Sequence, residues 1–149
     1  MKQIEIIINK VEVLDEISLN SAYAGTKTTG EEGFYDRVAT VEADSLLLSR
    51  FWTEMYGEVT EKFREFIVKA EKTETDFSLT LELSNAYDES LTPSVREDIF
   101  AGMVKGIMAY WFRYTCPDKS PEWQKESSSL LSRAFAKLCF RKRPRRGEE

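Results

Sequence analysis

The sequence contains no histidine among its 149 residues and only two cysteines, Cys116 and Cys139. The absence of histidine excludes Ser-His and Cys-His nucleophile pairs and every histidine-ligated metal site. The two cysteines show no metal-ligand spacing and do not make a disulfide framework, so we expect both to be reduced. Because no catalytic motif is present, we expect a protein that is not an enzyme and that uses no metal or cofactor.

Long hydrophobic runs are also absent. The apolar start at Ile4–Ile8 is short and contains Glu5, which argues against a signal peptide. No segment offers the roughly 20 consecutive apolar residues that cross a bilayer as a helix. We therefore expect synthesis in the cytoplasm and no membrane partner.

Acidic residues outnumber basic ones over residues 1–140, and basic residues cluster at the carboxyl end. The net charge of the chain is −5, from 21 basic and 26 acidic residues. The last nine residues hold five basic and two acidic side chains. Residues 1–140 therefore hold 16 basic and 24 acidic residues, a net charge of −8. The basic residues of this segment are Arg141, Lys142, Arg143, Arg145 and Arg146. We interpret residues 1–140 as a single domain and 141–149 as a disordered basic tail. Such a tail either solubilises the protein or contacts nucleic-acid phosphates or an acidic partner.

The segment Thr92–Tyr114 predicts a helix that is buried on several faces. Thr92 is expected to cap its first turn, and Pro93 occupies the first helical position, where an N–H is not needed. Apolar residues form two rows along this helix. The first row is Val95, Ile99, Met103, Ile107 and Trp111, and the second is Phe100, Val104, Met108 and Phe112. Gly102 and Gly106 share one face, where we expect another helix to approach closely, since each glycine costs about 1 kcal/mol of helix propensity.

The first 39 residues predict a strand, a helix and a loop. Gln3–Ile8 is rich in β-branched residues and predicts a strand. Asn9 is expected to cap a helix over 11–24 that stops at Gly25. The polar, glycine-rich segment 25–39 predicts a long surface loop, in which Phe34 and Tyr35 suit either a structural anchor or a binding site. The candidate interaction residues of this loop are Phe34, Tyr35, Asp36 and Arg37.

The longest predicted helix runs from Thr40 to about Lys72, because its apolar residues are three and four positions apart. Its acidic side chains alternate with lysine and arginine, which is typical of a solvated helix face rather than of metal ligands. These acidic residues are Glu54, Glu58, Glu61 and Glu65.

The segment Phe77–Leu83 alternates strictly between apolar and polar residues, which predicts a strand. Its hydrogen-bonding partner is expected to be the strand at Ile4–Ile8. Ser120 is expected to cap the last helix and Pro121 to occupy its first position, as Thr92 and Pro93 do in the helix before it. The predicted fold is therefore mainly α, a four-helix bundle-like domain around the buried helix 92–114, with a two-stranded β element.

Residues 44–140 resemble the small α-helical head–tail connector, or adaptor, proteins of tailed bacteriophages. The resemblance depends on Asp44 and the leucines that follow it, on the entry Leu91–Arg96, and on the aromatic end Met108–Phe112 of the next helix. It ends in a final helix with Leu130, Leu131 and Arg133. Unlike the family pattern, Thr92 stands between Leu91 and Pro93. The resemblance implies a virion or prophage component, without catalytic residues, that forms a ring beneath a portal around the path of the DNA.

Two functions are therefore expected. The first is a phage structural assembly protein that self-associates into a ring, contacts other virion proteins such as a portal, and is located in the virion. The alternative is a cytosolic DNA-binding or regulatory adaptor that contacts DNA non-specifically through the basic tail. A helix-turn-helix reader is disfavoured because the last helix begins with two acidic residues, Glu122 and Glu126. A small enzyme would need a polar pocket that no residue spacing predicts.

Overall fold

The computed structural model describes residues 1–27 and 44–143. The predicted interaction loop (Phe34–Arg37), the predicted helix start at Thr40, and Arg145 and Arg146 lie outside these residues. The described part of the chain forms four α-helices and three β-strands: β1 Lys2–Asn9, α1 Lys10–Lys27, α2 Ser45–Lys62, β2 Ile67–Lys72, β3 Asp76–Leu83, α3 Thr92–Thr115 and α4 Ser120–Cys139. Short 3₁₀ turns, Glu89–Leu91 and Pro117–Lys119, precede α3 and α4. The protein is thus mainly helical with a small antiparallel sheet.

The sheet has the strand order β1-β3-β2, and both pairs are antiparallel. The predicted pairing of β1 with β3 is confirmed, with Ile6 opposite Leu79 and Ile8 opposite Phe77. Phe77, Leu79, Leu81 and Leu83 are all buried on one face, as the alternation of β3 predicts. The prediction of only two strands is wrong, because β2 pairs with the other edge of β3.

The predicted long helix ends ten residues earlier than expected, so that part of the prediction is wrong. Helix α2 stops at Lys62, a turn follows, and Ile67–Lys72 is strand β2. The apolar spacing of this segment fits a helix, but Ile67 and Val68 are β-branched, and β3 offers an edge with which they pair. The turn is fixed to the sheet because the Glu82 N–H donates to the Phe66 carbonyl over 2.8 Å.

Four predictions about helix ends have different outcomes. Asn9 does cap α1, since the Glu12 N–H donates to Asn9 Oδ1 over 3.1 Å. Gly25 does not end that helix, which continues to Lys27. Thr92 and Ser120 do not cap α3 and α4 with their side chains, because a 3₁₀ turn leads into each helix and both hydroxyls have other partners. The Thr92 hydroxyl lies 3.0 Å from the Tyr87 hydroxyl, and the Ser120 hydroxyl donates to the Ala109 carbonyl over 2.8 Å.

Helix α3 contacts α1, α2, α4 and β1. Twelve of its 24 residues are buried. Helix α4 packs closely on α3 near Gly102, whose carbonyl accepts a hydrogen bond of 2.7 Å from the Ser127 hydroxyl. A Cβ atom at Gly102 would lie 2.8 Å from Leu131 Cδ2, so the absence of a side chain permits this approach.

Candidate interaction surfaces

The described residues contain no group of three or more cysteine, aspartate or glutamate side chains placed to hold a metal ion. Two of the acidic residues of α2 have ordinary partners: Glu58 accepts a hydrogen bond from the Tyr110 hydroxyl, and Glu61 lies 3.6 Å from Arg64. Glu65 follows α2 in the turn and is exposed. These carboxylates are spread along a solvated surface and do not converge on one site.

The first candidate surface is the start of the basic tail. Arg141 is not available as a free cation, because its guanidinium donates to the Leu138 and Cys139 carbonyls at the end of α4, over 3.4 and 2.8 Å. A cation at this position also suits the negative end of the helix dipole. The backbone of Lys142 donates to the Ala86 carbonyl over 2.7 Å, which leaves the Lys142 and Arg143 side chains exposed at the surface.

This segment lies beside the start of β1. Lys2 Nζ donates to the Tyr87 carbonyl over 3.0 Å, and Tyr87 forms an isolated β-bridge with Arg141. Acidic groups are present too, and the pKa of Asp88 is lowered by hydrogen bonds from Ser90 and, more weakly, by the charges of Lys142 and Lys2. Lys2 and residues 141–143 therefore form a mixed-charge patch with Asp88 and Glu89.

The glycine face of α3 lies in the interior of the protein. At Gly106, a Cβ atom would overlap the Met55 side chain of α2 and would lie 3.0 Å from the Ser127 hydroxyl of α4. At Gly102 it would meet Leu131 of α4. These glycines hold the interior together and do not form a surface for partners.

A buried charge on α3 was not anticipated from the sequence. Asp98 retains only 7% exposure and accepts a hydrogen bond of 2.6 Å from Lys137 of α4, while Arg133 lies 3.9 Å from its other oxygen. Lys137 also donates to the Ser94 hydroxyl over 2.5 Å. The spacing of Asp98 along α3 is that of the buried residues Val95 and Gly102, and this is the only sequence signal that marks it.

The second candidate surface comprises apolar side chains that face the solvent. The most exposed large ones in the helices are Leu46 (85%) on α2, Tyr114 (70%) on α3, and Leu19 (65%), Tyr23 (60%) and Val11 (58%) on α1. Tyr114 stacks on Phe51 with a centroid distance of 5.8 Å, so one face of its ring is covered. The α1 residues form a row, since Val11, Leu19 and Tyr23 are eight and four positions apart.

No family model, curated protein or solved structure is significantly similar to the chain. Among the described helices, none combines the length and the apolar character that crossing a membrane requires.

Proposed function

We propose that the chain is a structural assembly protein of a tailed phage or prophage, a head–tail connector or adaptor that forms a ring through protein–protein contacts. The resemblance depends on residues 44–140, and these contain α2, α3 and α4. The entry Leu91–Arg96 opens α3, and the aromatic end Met108–Phe112 lies in its buried second half. In this proposal the domain is bundle-like, with α3 as the central helix and the sheet packed at its side.

The observation that carries the proposal is the exposed apolar row on α1. Isolated exposed apolar residues are normal on protein surfaces, but several on one helix face, here with Asp15 among them, favour a contact with another protein. Val13 and Ile17 on the opposite side of α1 are fully buried, so the helix is apolar on both sides. The outer side of α1 carries Asp15 with Val11 and Leu19, whereas a helix that only covers its own domain is typically polar there. Binding, rather than turnover, is the activity that such a surface supports.

The test is quantitative proteomics on nuclease-treated phage particles induced from a strain that encodes the chain. We expect the protein in purified particles, at a constant copy number relative to the portal protein and compatible with a ring. A matched preparation from a strain that lacks the gene controls for carry-over and for the completeness of the particles. Absence of the protein from complete, infectious particles would overturn the connector function.

A second candidate is a DNA-binding or regulatory adaptor, which is favoured by the exposed side chains of Lys142 and Arg143. Phosphate contacts make affinity fall steeply with salt concentration. We would measure the binding of a fluorescent DNA duplex at 50 to 200 mM salt, for the full chain and for the variant Arg143→Ala/Arg145→Ala/Arg146→Ala. Salt-dependent binding that this variant loses supports the second candidate, and equal binding by both proteins contradicts it.

A further inference from the structure

The exposed row of α1 is both apolar and acidic. Val11, Asp15 and Leu19 are four positions apart, and all three side chains are exposed. Glu12 and Glu16 lie beside this row. Glu12 shares Arg96 with Glu97 of α3, since Arg96 is 3.6 Å from Glu12 and 2.9 Å from Glu97. One cation therefore serves two carboxylates. Lys105 lines the same groove as Glu16 but pairs with Glu126 of α4, so Asp15 and Glu16 leave negative charge on this side.

The outer side of α4 has the opposite character. Lys125, Ser129, Arg133 and Ala136 are exposed there. Ser129 and Leu130 line a shallow groove between Lys125 and Arg133, together with Glu126, which pairs with Lys105 of α3 at 3.1 Å. Arg133 and Lys137 share the single carboxylate of Asp98. Lys137 is the closer partner, and the Arg133 side chain keeps 61% of its exposure. Because Glu126 is paired with Lys105, Lys125 and the exposed Arg133 leave positive charge around the part of the groove lined by Ser129 and Leu130.

We propose that the outer side of α1 in one copy of the chain docks on the outer side of α4 in a second copy. This inference rests on the proposed function, because it names the contact from which the ring is built. The two sides lie on different helices of the same chain, so the contact is heterologous and each bound copy still offers one free side of each kind. Contacts of this type form rings when the rotation closes, and open chains otherwise.

The spacing of the two rows fits a contact centred on Asp15 and Arg133. Val11, Asp15 and Leu19 are four positions apart on α1, as are Lys125, Ser129 and Arg133 on α4, and each step of four corresponds to about 6 Å. In the antiparallel arrangement, Asp15 faces Arg133, Leu19 faces the groove at Ser129, and Val11 lies near Ala136. Rows of residues four apart are the ridges that interdigitate in the commonest class of helix packing.

The experiment is sedimentation velocity of the purified full chain over a range of concentrations. We expect wild-type protein to form species larger than a dimer as its concentration rises. Asp15→Arg and Arg133→Glu each weaken this association by about tenfold or more in the dissociation constant, because each places like charges opposite one another. The double variant Asp15→Arg/Arg133→Glu regains most of the affinity, because the pair is restored with reversed signs.

Further variants separate folding from association. Leu19→Ser and Ser129→Arg alter exposed residues on the two sides, and both are expected to yield folded monomers. Leu46→Ser is the matched control, because Leu46 is 85% exposed on α2 and belongs to neither side. Circular dichroism melts of every variant report on the fold. The proposal is overturned by wild-type protein that stays monomeric, by oligomers that Leu19→Ser and Ser129→Arg leave intact, or by a folded double variant that remains as weak as the single ones.

The outcomes for the contact and for the phage function are separable. Charge-swap rescue in a protein that is absent from complete phage particles would leave the contact standing and the connector function refuted. A protein that is present in particles at a ring-like copy number, but whose self-association is insensitive to these variants, would refute the contact and leave the connector function standing.

Discussion

Asp98 links α3 to α4 through a charge pair that is largely removed from water. Its carboxylate has two cationic neighbours, of which Lys137 is held closely at 2.6 Å and Arg133 stays near the surface at 3.9 Å. A buried carboxylate is tolerated only when it is paired and hydrogen-bonded. The pair therefore fixes how the last turns of α4 lie on the first turns of α3.

We expect Lys137→Met to lower the free energy of unfolding by about 1–3 kcal/mol, because it leaves the Asp98 carboxylate buried with only the distant Arg133. Urea denaturation followed by circular dichroism measures the loss. Lys69→Met is the matched control: Lys69 pairs with Glu71 at 3.0 Å, both side chains are more than half exposed, and such pairs contribute less than about 1 kcal/mol. Equal losses in the two variants would contradict the role given to Asp98.

Two tyrosines, Tyr110 and Tyr87, link the free energy of unfolding to pH in the alkaline range. Burial raises the pKa of Tyr110, and so does the hydrogen bond that its hydroxyl donates to Glu58. Burial also raises the pKa of Tyr87, against the opposing effect of its hydrogen bond with Thr92. Because the folded protein holds these protons more tightly than the unfolded chain, their stabilising contribution is complete below the unfolded pKa of 10.0 and is lost as the pH rises above it.

We therefore expect the free energy of unfolding to fall between about pH 9.5 and 11.5, and the fall to be smaller in Tyr110→Phe. Urea denaturation at a series of pH values measures it, and tyrosinate absorbance follows the ionisation directly. A Tyr110→Phe curve parallel to that of the wild type throughout this interval would contradict the assignment.

At the scale of the elements, α3 owes its position to two glycines that let α2 and α4 approach it. We expect Gly106→Ala to destabilise the protein by about 1–2 kcal/mol, because crowding against Met55 and Ser127 outweighs the gain in helix propensity. Gly57→Ala on α2 is the control: a Cβ atom there meets nothing within 4 Å, and we expect a gain of about 0.5–1 kcal/mol. Denaturant midpoints compare the two, and a stabilised Gly106→Ala variant would refute the close packing.

The register of β1 on β3 decides which isoleucines are in the core. Ile6 is 1% exposed opposite Leu79, whereas its neighbour Ile7 is 47% exposed. We expect Ile6→Ala to cost about 2–4 kcal/mol of stability and Ile7→Ala less than about 1 kcal/mol. Equilibrium unfolding in urea distinguishes them, and the opposite order would mean that β1 is shifted by one residue.

At the scale of the whole molecule, the chain after α4 returns to the sheet and joins the two ends of the described body. The Arg141 guanidinium donates a hydrogen bond to the Cys139 carbonyl at the end of α4, and the Lys142 N–H donates one to the Ala86 carbonyl after β3. Residues 141 and 142 therefore belong to the folded body, although the sequence places them in a disordered tail.

A chain that ends at Phe140 is expected to be less stable than one that ends at Arg143, by about 1–2 kcal/mol, since it loses these hydrogen bonds. Thermal unfolding of the two truncated proteins under identical conditions measures the difference. Arg141→Ala in the longer protein separates the guanidinium bonds to α4 from the backbone bond of Lys142. Equal unfolding temperatures would show that the return of the chain contributes nothing.

The candidate surfaces were only partly visible in the sequence. The basic residues of the tail are evident, but nothing there indicates that Arg141 is bound to the end of α4. The outer side of α1 was hidden for a different reason: Val11, Val13, Ile17 and Leu19 are similar apolar residues, and only packing shows which of them face α3. The loop at Phe34–Arg37 lies outside the described residues, so its predicted contacts stay a prediction.

The sequence by itself determined the elements whose burial repeats with a regular period and whose signals are local. The strict alternation of β3 and the helical spacing in α3 and α4 are of this kind, as is the cap at Asn9. Tertiary structure decided the features that depend on a distant partner. Residues 67–72 carry a helical spacing but form a strand, because the open edge of β3 satisfies their backbone hydrogen bonds. Asp98 is buried because Lys137, 39 residues away, supplies the charge that makes its burial tolerable.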